Sequence, residues 1–335
     1  MRIAIDAMGG DNAPAAVLDG VKLALTETES DVTFALYGDE AALQEGLAAR
    51  GIPGARVSIV PTTEVISCEE QPTLAVRRKK DSSLVRAVTD TAAGEADCVL
   101  SAGSTGALLT GATLIIKRLP GAKRPALATL LPSKTGCTLL LDCGANTDCK
   151  PPYLQQFAVM GSAYMQRLVG VAAPRVGLLN NGAEEEKGNE LTKAAYQLLK
   201  ETPVCFAGNC EARDALSGAF DVVVCDGFDG NVLLKGIEGT ASLMSSLLKE
   251  SLSGSLRTKL GAALAMPALK AFKKKMDYTE YGGAPLLGVR AGVIKAHGSS
   301  NGKAFRSAIL QAVKLVHTGV VAAMAETLAS LPIED

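Results

Sequence analysis

The chain has 335 residues, 47% of them apolar, and its 34 Lys and Arg residues face 35 Asp and Glu residues, for a formal net charge of −1. A chain this apolar with almost no net charge is not intrinsically disordered. The even charge balance, an aromatic content of 4% and the absence of Trp argue against a nucleic-acid partner. The length suits one large α/β domain or two smaller ones.

The start of the chain and its cysteines predict a cytoplasmic protein. Residues 1–6 have the pattern of a strand and lead into an acid and two glycines instead of the apolar run of a signal peptide. The longest apolar stretch, residues 108–116, is far shorter than the ~18 residues that suggest a membrane span. The 8 cysteines include no C-x-x-C pair and only 2 His are present, so we expect reduced thiols and no metal site.

Short β-branched runs alternate with longer Ala- and Leu-rich stretches along the chain. Strands are predicted at residues 3–6, 32–37, 57–60, 98–101, 126–130, 138–142, 175–179, 204–207 and 221–225. Helices are predicted at residues 15–25, 40–49, 82–93, 107–118, 153–168, 190–199, 232–252 and 302–328. This alternation predicts an α/β fold in which helices cover a mainly parallel sheet.

Polar, glycine-rich loops follow five of the predicted strands. They read MGGDNAP, AGSTGA, CGANTD, NNGAEEEKGN and DGFDGN. Ligands of open α/β sheets bind beyond the carboxyl ends of strands, where glycine allows close approach and helix N-termini attract anions. Each loop alone is typical of an ordinary turn, but five together favour a shared anion site. None matches a nucleotide-binding glycine motif.

A basic stretch covers residues 252–276, where six Lys or Arg residues occur without any acid. Leu252, Leu256, Leu260 and Leu264 recur every four residues, and Pro267 is expected to break the segment into a helical hairpin. Such a segment suits an anionic membrane surface, an acidic protein, a dimer partner, or the core of its own chain. Its predicted contact residues are Leu256, Leu260, Leu264, Arg257, Lys259, Lys270, Lys273, Lys274 and Lys275.

Taken together, the motifs resemble those of the bacterial phosphate acyltransferase (PlsX) family over essentially the whole chain. The shared strings are IDAMGGD, SAGSTGA, LDCGAN, NNGAEEEKGNE, DGFDGN and HGSS. The sequence departs from the family pattern at Ser104, where Asn is usual, and at Asn181 and Ala183. Ser104 keeps a polar group, and neither departure removes a charged group on which the predicted chemistry relies.

The resemblance implies that a fatty acyl group moves from acyl carrier protein to inorganic phosphate, which gives acyl phosphate for phospholipid synthesis. It also implies a three-layer α/β/α architecture similar to phosphotransacetylases and to isocitrate or isopropylmalate dehydrogenases. We expect one catalytic unit over residues 1–335 with an active-site cleft and the hairpin inserted before the C-terminal segment. A homodimer, peripheral membrane contact, product hand-off to a membrane glycerol-3-phosphate acyltransferase and no cofactor are further implications.

Phosphate attack on a thioester depends on positioning and electrostatics rather than on a metal. With the resemblance, Lys187, Asn231 and His297 become the predicted catalytic residues, and Glu185 or Glu186 could orient Lys187 or cap a helix. Asp229 could contribute to the site or act as a helix cap. The predicted phosphate- or substrate-binding residues are Asp6, Gly9, Gly10, Asp11, Asn12, Ser104, Thr105, Gly106, Asn146, Asp229, Ser299 and Ser300.

Two other functions remain open on the sequence alone. A phosphotransacetylase-like enzyme that uses acyl-CoA would share the fold and the chemistry. A scaffold that binds membrane and carrier protein through the basic hairpin would not need Lys187 or Asn231. A decarboxylating dehydrogenase would require three metal-binding Asp residues and a nicotinamide site, and neither pattern occurs.

Overall fold

A computed structural model describes residues 1–276 and 282–331, without the side chains of residues 273–276. Within these residues eleven strands form one sheet with helices on both faces, which confirms the predicted fold class. The strands are β1 (Arg2–Asp6), β2 (Thr33–Gly38), β3 (Val57–Pro61), β4 (Cys98–Ser101), β5 (Ala126–Ser133), β6 (Gly136–Leu141), β7 (Arg175–Asn180), β8 (Cys205–Glu211), β9 (Val222–Val224), β10 (Ala284–Leu287) and β11 (Gly292–Lys295).

Helices connect most of these strands, and two of them continue as π-helical turns. The helices are α1 (Ala15–Leu25), α2 (Glu40–Arg50), α3 (Pro72–Arg78), α4 (Ser83–Ala93), α5 (Thr105–Gly111), α6 (Pro151–Tyr164), α7 (Glu190–Glu201), α8 (Gly227–Ser253), α9 (Leu256–Leu264), α10 (Met266–Met276), α11 (Gly302–His317) and α12 (Val320–Ala329). The π-helical turns are Ala112–Ile116 after α5 and Met165–Val169 after α6.

Alternate residues of β1 enter the two layers of the core. Ile3 and Ile5 belong to the cluster that includes Phe305 of α11, whereas Ala4 belongs to the cluster that includes Val85 of α4. Because successive strand residues point to opposite faces, a strand covered on both sides must be apolar throughout. This requirement explains the continuous apolar runs that predicted a helix-covered sheet.

The two halves of the sheet run in opposite directions. The strand order is β3-β2-β1-β4-β11-β10-β5-β6-β9-β7-β8. The first five of these strands are mutually parallel, as are the last four, but β10 is antiparallel to both β11 and β5, and β5 is antiparallel to β6. The carboxyl ends of β6, β7 and β9 therefore lie at the edge opposite to those of β1, β4 and β11.

The structure corrects several predicted elements. Strands β10 and β11 and helix α3 were not predicted, and the predicted helix at residues 302–328 is two helices separated at Gly319, whose φ is 64°. Helix α8 ends at Ser253 and α9 begins at Leu256, so Leu252 does not continue the leucine stripe of α9. The break between α9 and α10 falls at Ala265 and not, as predicted, at Pro267. Pro267 lies in the first turn of α10, where its missing N–H is tolerated.

No single helix of the described residues is long and apolar enough to cross a bilayer. Helices α11 and α12 meet the length and composition criterion only as a pair, with a bend of 53° between them. Both helices contribute buried residues to the core, including Phe305 and Met324.

Candidate functional site

Three polar loops meet at one edge of the sheet, after the parallel strands β1, β4 and β11. We call them the first loop cluster, which comprises residues 6–12, 101–106 and 295–301. The loops bond to one another through their backbones, since the Asp11 N–H donates to the Gly298 carbonyl at 2.9 Å. The cluster brings together most of the predicted binding residues with His297.

Asp6 is buried at the centre of the first loop cluster. Its carboxylate accepts hydrogen bonds from the Ser83 hydroxyl at 2.6 Å and the Ser101 hydroxyl at 2.7 Å. Burial raises the pKa of Asp6, while these hydroxyl groups and the backbone N–H groups of Met8 and Gly9 favour its ionised form. The contacts support a scaffolding role for Asp6, which holds the β1 loop against α4 and the β4 loop.

Two glycines let the β1 loop approach its neighbours closely. A Cβ at Gly9 would stand 2.3 Å from the Asp6 carboxylate and 2.8 Å from the Gly103 nitrogen. Gly10 has a φ of 106°, a conformation that L-residues rarely adopt, and a Cβ there would stand 2.9 Å from Cβ of Ala102. The GG pair of the sequence motif is thus required by packing between loops.

His297 lies in the turn that leads into α11. Its Nδ1 and the Ser299 hydroxyl are 2.9 Å apart, and the Ser299 N–H donates to the same nitrogen at 3.3 Å. Because Nδ1 accepts a hydrogen bond, the neutral ring carries its proton on Nε2. Asn12 secures this turn, since its amide donates to the carbonyls of Ser299 and Ser300 at 3.2 and 3.3 Å.

The first loop cluster also contains two helix starts. Ser104 caps α5 by accepting a hydrogen bond from the Ala107 N–H, and Asn301 caps α11 by accepting one from the Ala304 N–H. Ser and Asn are comparable N-caps, so Ser104 supplies the same local function as the Asn usual in the family. Thr105 and Gly106 form the first turn of α5, with Gly106 against Pro72. Helix starts offer N–H donors to anions.

Lys295 is a residue of this cluster that the sequence analysis did not select. It is the last residue of β11 and is only 9% exposed, with its ammonium donating to the carbonyls of Ala102, at 3.2 Å, and Ala296. Burial lowers its pKa to about 8, although the charges of Cys68, Asp6 and Asp11 oppose the shift. The available signal in the sequence was a Lys two residues before His297 and its HGSS run.

The second loop cluster lies at the opposite edge of the sheet, after β6, β7 and β9, and comprises residues 142–146, 180–189 and 226–231. Buried Asp142 organises it by accepting hydrogen bonds from the N–H of Leu127, at 2.9 Å, and the N–H of Asn146, at 2.7 Å. The Asn146 amide donates to Asp142 and to the Pro125 carbonyl. Asn146 is therefore held rigidly, with its amide hydrogens engaged by protein acceptors.

Lys187 is exposed in the loop between β7 and α7, where its N–H donates to the Glu184 carbonyl at 3.1 Å. Glu185 does not orient it, because that carboxylate binds Lys200 at 3.1 Å and Gln197 at 2.9 Å. Nor does either predicted Glu cap the helix, since Asn189 forms a capping box with Thr192 at the start of α7.

Asp229 and Asn231 lie in the first turns of α8. The N-cap of α8 is Asp226, which accepts a hydrogen bond from the Asp229 N–H at 2.8 Å, so the suggestion that Asp229 is the cap is wrong. Burial and the nearby charge of Asp226 raise the pKa of Asp229. Asn231 is exposed beside Gly144, where an added Cβ would stand 3.7 Å from its Cγ.

The five polar loops consequently do not share one edge of the sheet, because β10 and β5 reverse its direction. Helix α5 with its π-helical continuation runs between the two clusters. It begins at Ser104 in the first cluster, and its later residues Leu109 and Thr113 line a cavity of about 630 Å³ that Asn146 of the second cluster also lines. Another cavity, of about 870 Å³, lies between α8 and the loop that starts at Asn180.

The leucines of the basic stretch do not cover the core of their own chain. Leu256, Leu260 and Leu264 of α9 are 77%, 62% and 87% exposed, which excludes that alternative for α9. Arg257, Lys259 and Lys270 are exposed as well. Lys273, Lys274 and Lys275 continue the backbone of α10, and their side chains lie outside the described part of the chain.

The described residues contain no group of three or more His, Cys, Asp or Glu side chains placed to hold a metal ion. The polar chemistry of both loop clusters is that of amide, hydroxyl and ammonium donors with buried carboxylates behind them.

Comparison with known proteins identifies the family. A family model described as "Fatty acid synthesis protein" matches residues 1–323. The chain belongs to this family. The phosphate acyltransferase of Brevibacillus brevis is 53% identical over 321 residues, which cover 96% of this chain and 95% of that protein. The phosphate acyltransferase of Clostridium acetobutylicum is 50% identical and covers 96% of this chain and 97% of its own length.

Solved structures of similar shape support the fold. A phosphotransacetylase from Streptococcus pyogenes superimposes with a TM-score of 0.60 at 16% identity, covering 98% of this chain and 94% of its own. A branched-chain phosphotransacylase from Enterococcus faecalis gives a TM-score of 0.59 at 16% identity, covering 95% and 99%. The family member therefore has the phosphotransacetylase-like fold that the resemblance implied.

Proposed function

We propose that the chain is a phosphate acyltransferase that moves a fatty acyl group from acyl carrier protein to inorganic phosphate. The acyl phosphate would then enter phospholipid synthesis. The observation that carries the proposal, beside family membership, is the buried cation of Lys295 in a cluster of glycine-rich loops and helix starts. Such an arrangement suits a small anion, because the ammonium and the free N–H donors all favour negative charge.

In the proposed reaction, a phosphate oxygen attacks the carbonyl carbon of the thioester. The new C–O bond forms as the C–S bond breaks, and the thiolate leaves with the electron pair of that bond. Lys295 attracts the phosphate and offsets its charge, while backbone N–H groups of the loops stabilise the developing oxyanion. The Nε2–H of His297 donates a hydrogen bond that stabilises the leaving thiolate, and solvent supplies the proton of the free thiol. No cofactor is required, since phosphate is already nucleophilic at neutral pH.

We retain the prediction that Lys187 and Asn231 contact substrate, but we assign the bond-making step to the first loop cluster, because these two residues lie in the second. Both side chains are exposed, so both are accessible to a substrate. Asp6, Asp11 and Asn12 hold the loops around the phosphate, and Asn146 and Asp229 shape the other cluster. The proposed unit spans the chain, with helices α9 and α10 as an inserted hairpin.

The reaction can be tested with the purified chain, palmitoyl carrier protein and phosphate, by trapping acyl phosphate with hydroxylamine. We expect hydroxamate to form only when phosphate is present. Thiol release that does not depend on phosphate would refute the proposal. Equal or faster turnover of palmitoyl-CoA would identify a phosphotransacetylase-like enzyme instead. Full function in Lys187→Ala and Asn231→Ala would favour a scaffold.

We further propose that the exposed leucines and basic side chains of α9 and α10 contact an anionic membrane surface, or the acidic carrier protein. The double substitution Leu260→Glu and Leu264→Glu should then weaken binding to vesicles of anionic phospholipid. Leu74→Glu, which changes an exposed leucine of α3, serves as the control. Equal vesicle binding by all variants would exclude the membrane, and carrier-protein binding can be measured on the same variants.

A homodimer in the cytoplasm, able to hand its product to a membrane glycerol-3-phosphate acyltransferase, completes the proposal. Exposed apolar side chains along α8 support self-association, because a face of this kind is seldom left uncovered in solution. They include Val232, Leu243, Met244 and Leu247, each more than half exposed. Analytical ultracentrifugation of the full chain tests the dimer, and Leu243→Glu with Leu247→Glu should shift it toward the monomer.

A further inference from the structure

A cavity of about 630 Å³ beside the second half of α5 is lined by three basic side chains and by no acidic residue among those described. The three are Arg118, Lys123 and Arg124, and Asn146 and Tyr153 share the wall. Neither the motifs nor the proposed reaction uses these cations. Positive groups that converge on a concave surface raise the local concentration of anions.

The described contacts of the two arginines leave their positive charge unneutralised. The Arg118 guanidinium donates to the Lys123 carbonyl, which is a neutral acceptor, and the Arg124 guanidinium lies 5.8 Å from the centre of the Tyr153 ring. Both side chains are exposed to solvent. An arginine held by a carbonyl or a ring still presents N–H donors in the forked geometry that phosphate oxygens accept.

The backbone that carries Arg118 is unusual. The π-helical turn Ala112–Ile116 ends at Lys117, whose φ of 72° is the one positive value outside glycine in the described residues. The Lys117 carbonyl accepts from the Arg290 N–H at 3.0 Å, which fixes the turn. Both π-helical turns and non-glycine residues with positive φ are concentrated at functional sites.

A continuous helical stripe joins this cavity to the first loop cluster. Thr105, Leu109 and Thr113 are spaced by four residues and therefore lie on one face of the helix. Thr105 stands beside Ser104 at the start of α5, and Leu109 and Thr113 line the cavity. Eight residues at about 1.5 Å each place the two ends roughly 12 Å apart.

We infer that this cavity binds the phosphate group of the acyl donor's pantetheine arm, while the thioester end of the arm lies at the first loop cluster. The inference rests on the proposed function, because it presumes a thioester donor that reacts at Lys295 and His297. A phosphodiester anion suits the arginines, and the two threonine hydroxyl groups and the leucine of the stripe suit the amide-bearing chain between the phosphate and the sulfur. Free inorganic phosphate offers the same anionic chemistry without the chain.

The test is calorimetric titration of the full chain with pantetheine 4′-phosphate, with pantetheine and with inorganic phosphate. Arg118→Gln and Arg124→Gln should each weaken pantetheine 4′-phosphate binding about tenfold or more, since each loses charge-assisted hydrogen bonds. Arg124→Lys should retain part of the affinity. Arg167→Gln, which changes an exposed arginine of the π-helical turn after α6, should bind like the wild type.

Three outcomes would overturn the inference. Wild-type affinity for pantetheine 4′-phosphate in both Gln variants would show that the cavity does not bind the arm. Equal affinity of the wild type for pantetheine and pantetheine 4′-phosphate would show that the phosphate group is not recognised. Loss of inorganic phosphate binding alone would assign the cavity to the free anion. Thermal unfolding of each variant shows whether it is folded. Acyl phosphate production without arm binding refutes only this inference, whereas arm binding without acyl phosphate refutes only the proposed function.

Discussion

Replacing Lys295 by Met tests the energetic cost of the buried cation. Burial lowers the pKa of Lys295 from 10.5 to about 8. Between these two pH values the unfolded chain carries a proton that the folded chain has lost, so the contribution of this group to stability rises with pH. Each pH unit is worth about 1.4 kcal/mol, and the full cost of the charge below pH 8 is therefore about 3 kcal/mol.

The comparison that isolates this cost is the difference in unfolding free energy between the wild type and Lys295→Met. Met also removes hydrogen bonds to the carbonyls of Ala102 and Ala296, but that loss changes little with pH. The difference should therefore grow in favour of the wild type by about 2 kcal/mol between pH 8 and pH 9.5. Urea unfolding at several pH values measures it.

The same titration should appear in catalysis. Above pH 8, loss of the Lys295 charge should raise the KM for phosphate in the wild type, and Lys295→Met should show a high KM at every pH. Lys303→Met, which removes an exposed Lys of α11, is the matched control and should follow the wild type in both experiments. A wild-type-minus-Met stability difference that stays constant from pH 7.5 to 9.5 would refute the reasoning.

Three further changes probe packing, thiol access and capping. Gly230→Ala should lower the unfolding free energy by more than 1 kcal/mol, because the new Cβ would stand 1.9 Å from the Asp142 carbonyl oxygen. Gly239→Ala, on the same helix but with open space around the new Cβ, should raise the unfolding free energy by about 0.5–1 kcal/mol. Urea unfolding measures both changes. Iodoacetamide should label the exposed thiols of Cys68 and Cys205 first, which mass spectrometry can measure. Labelling of Cys68, which lies near Lys295, should slow turnover, whereas labelling of Cys205 should not. Ser104→Ala should cost about 1 kcal/mol of stability and Ser104→Asn almost none; equal losses would argue against the cap.

Much of the fold could be predicted because its strands are buried on both faces. The predicted strand at 98–101 coincides with β4, and the predicted helix at 15–25 coincides with α1. In both segments the spacing of the apolar residues clearly indicates the type of secondary structure. Strands β10 and β11 have four residues each and follow a segment without regular spacing. Their segment contains Pro285, Gly288 and Gly292, residue types typical of turns, so both strands were missed.

The site could be predicted as a set of loops but not as a geometry. Asp6 and Asn12 were selected as neighbours of a predicted strand end and Ser299 from the HGSS run, and the structure places all three in the first loop cluster. Their separation from Lys187 and Asn231 depends on two antiparallel strands, one of which, β10, comes from a part of the chain far downstream. Strand direction is a property of the whole sheet, and no local pattern encodes it.

Asp6 and Lys295, the two buried ionisable groups of the first loop cluster, together hold its three loops in place. Asp6 joins the β1 loop to the β4 loop by accepting a hydrogen bond from Ser101. Lys295 joins the β4 loop to the loop after β11 by donating to the carbonyls of Ala102 and Ala296. A buried charge without partners is costly, and the charge of Asp6 opposes the burial effect that lowers the pKa of Lys295. Among the described contacts, Asp6 and Lys295 form no direct ion pair, so neither charge neutralises the other. An anion that enters the cluster would therefore meet a frame of three loops in which the ammonium of Lys295 keeps its charge, as the proposed phosphate binding requires.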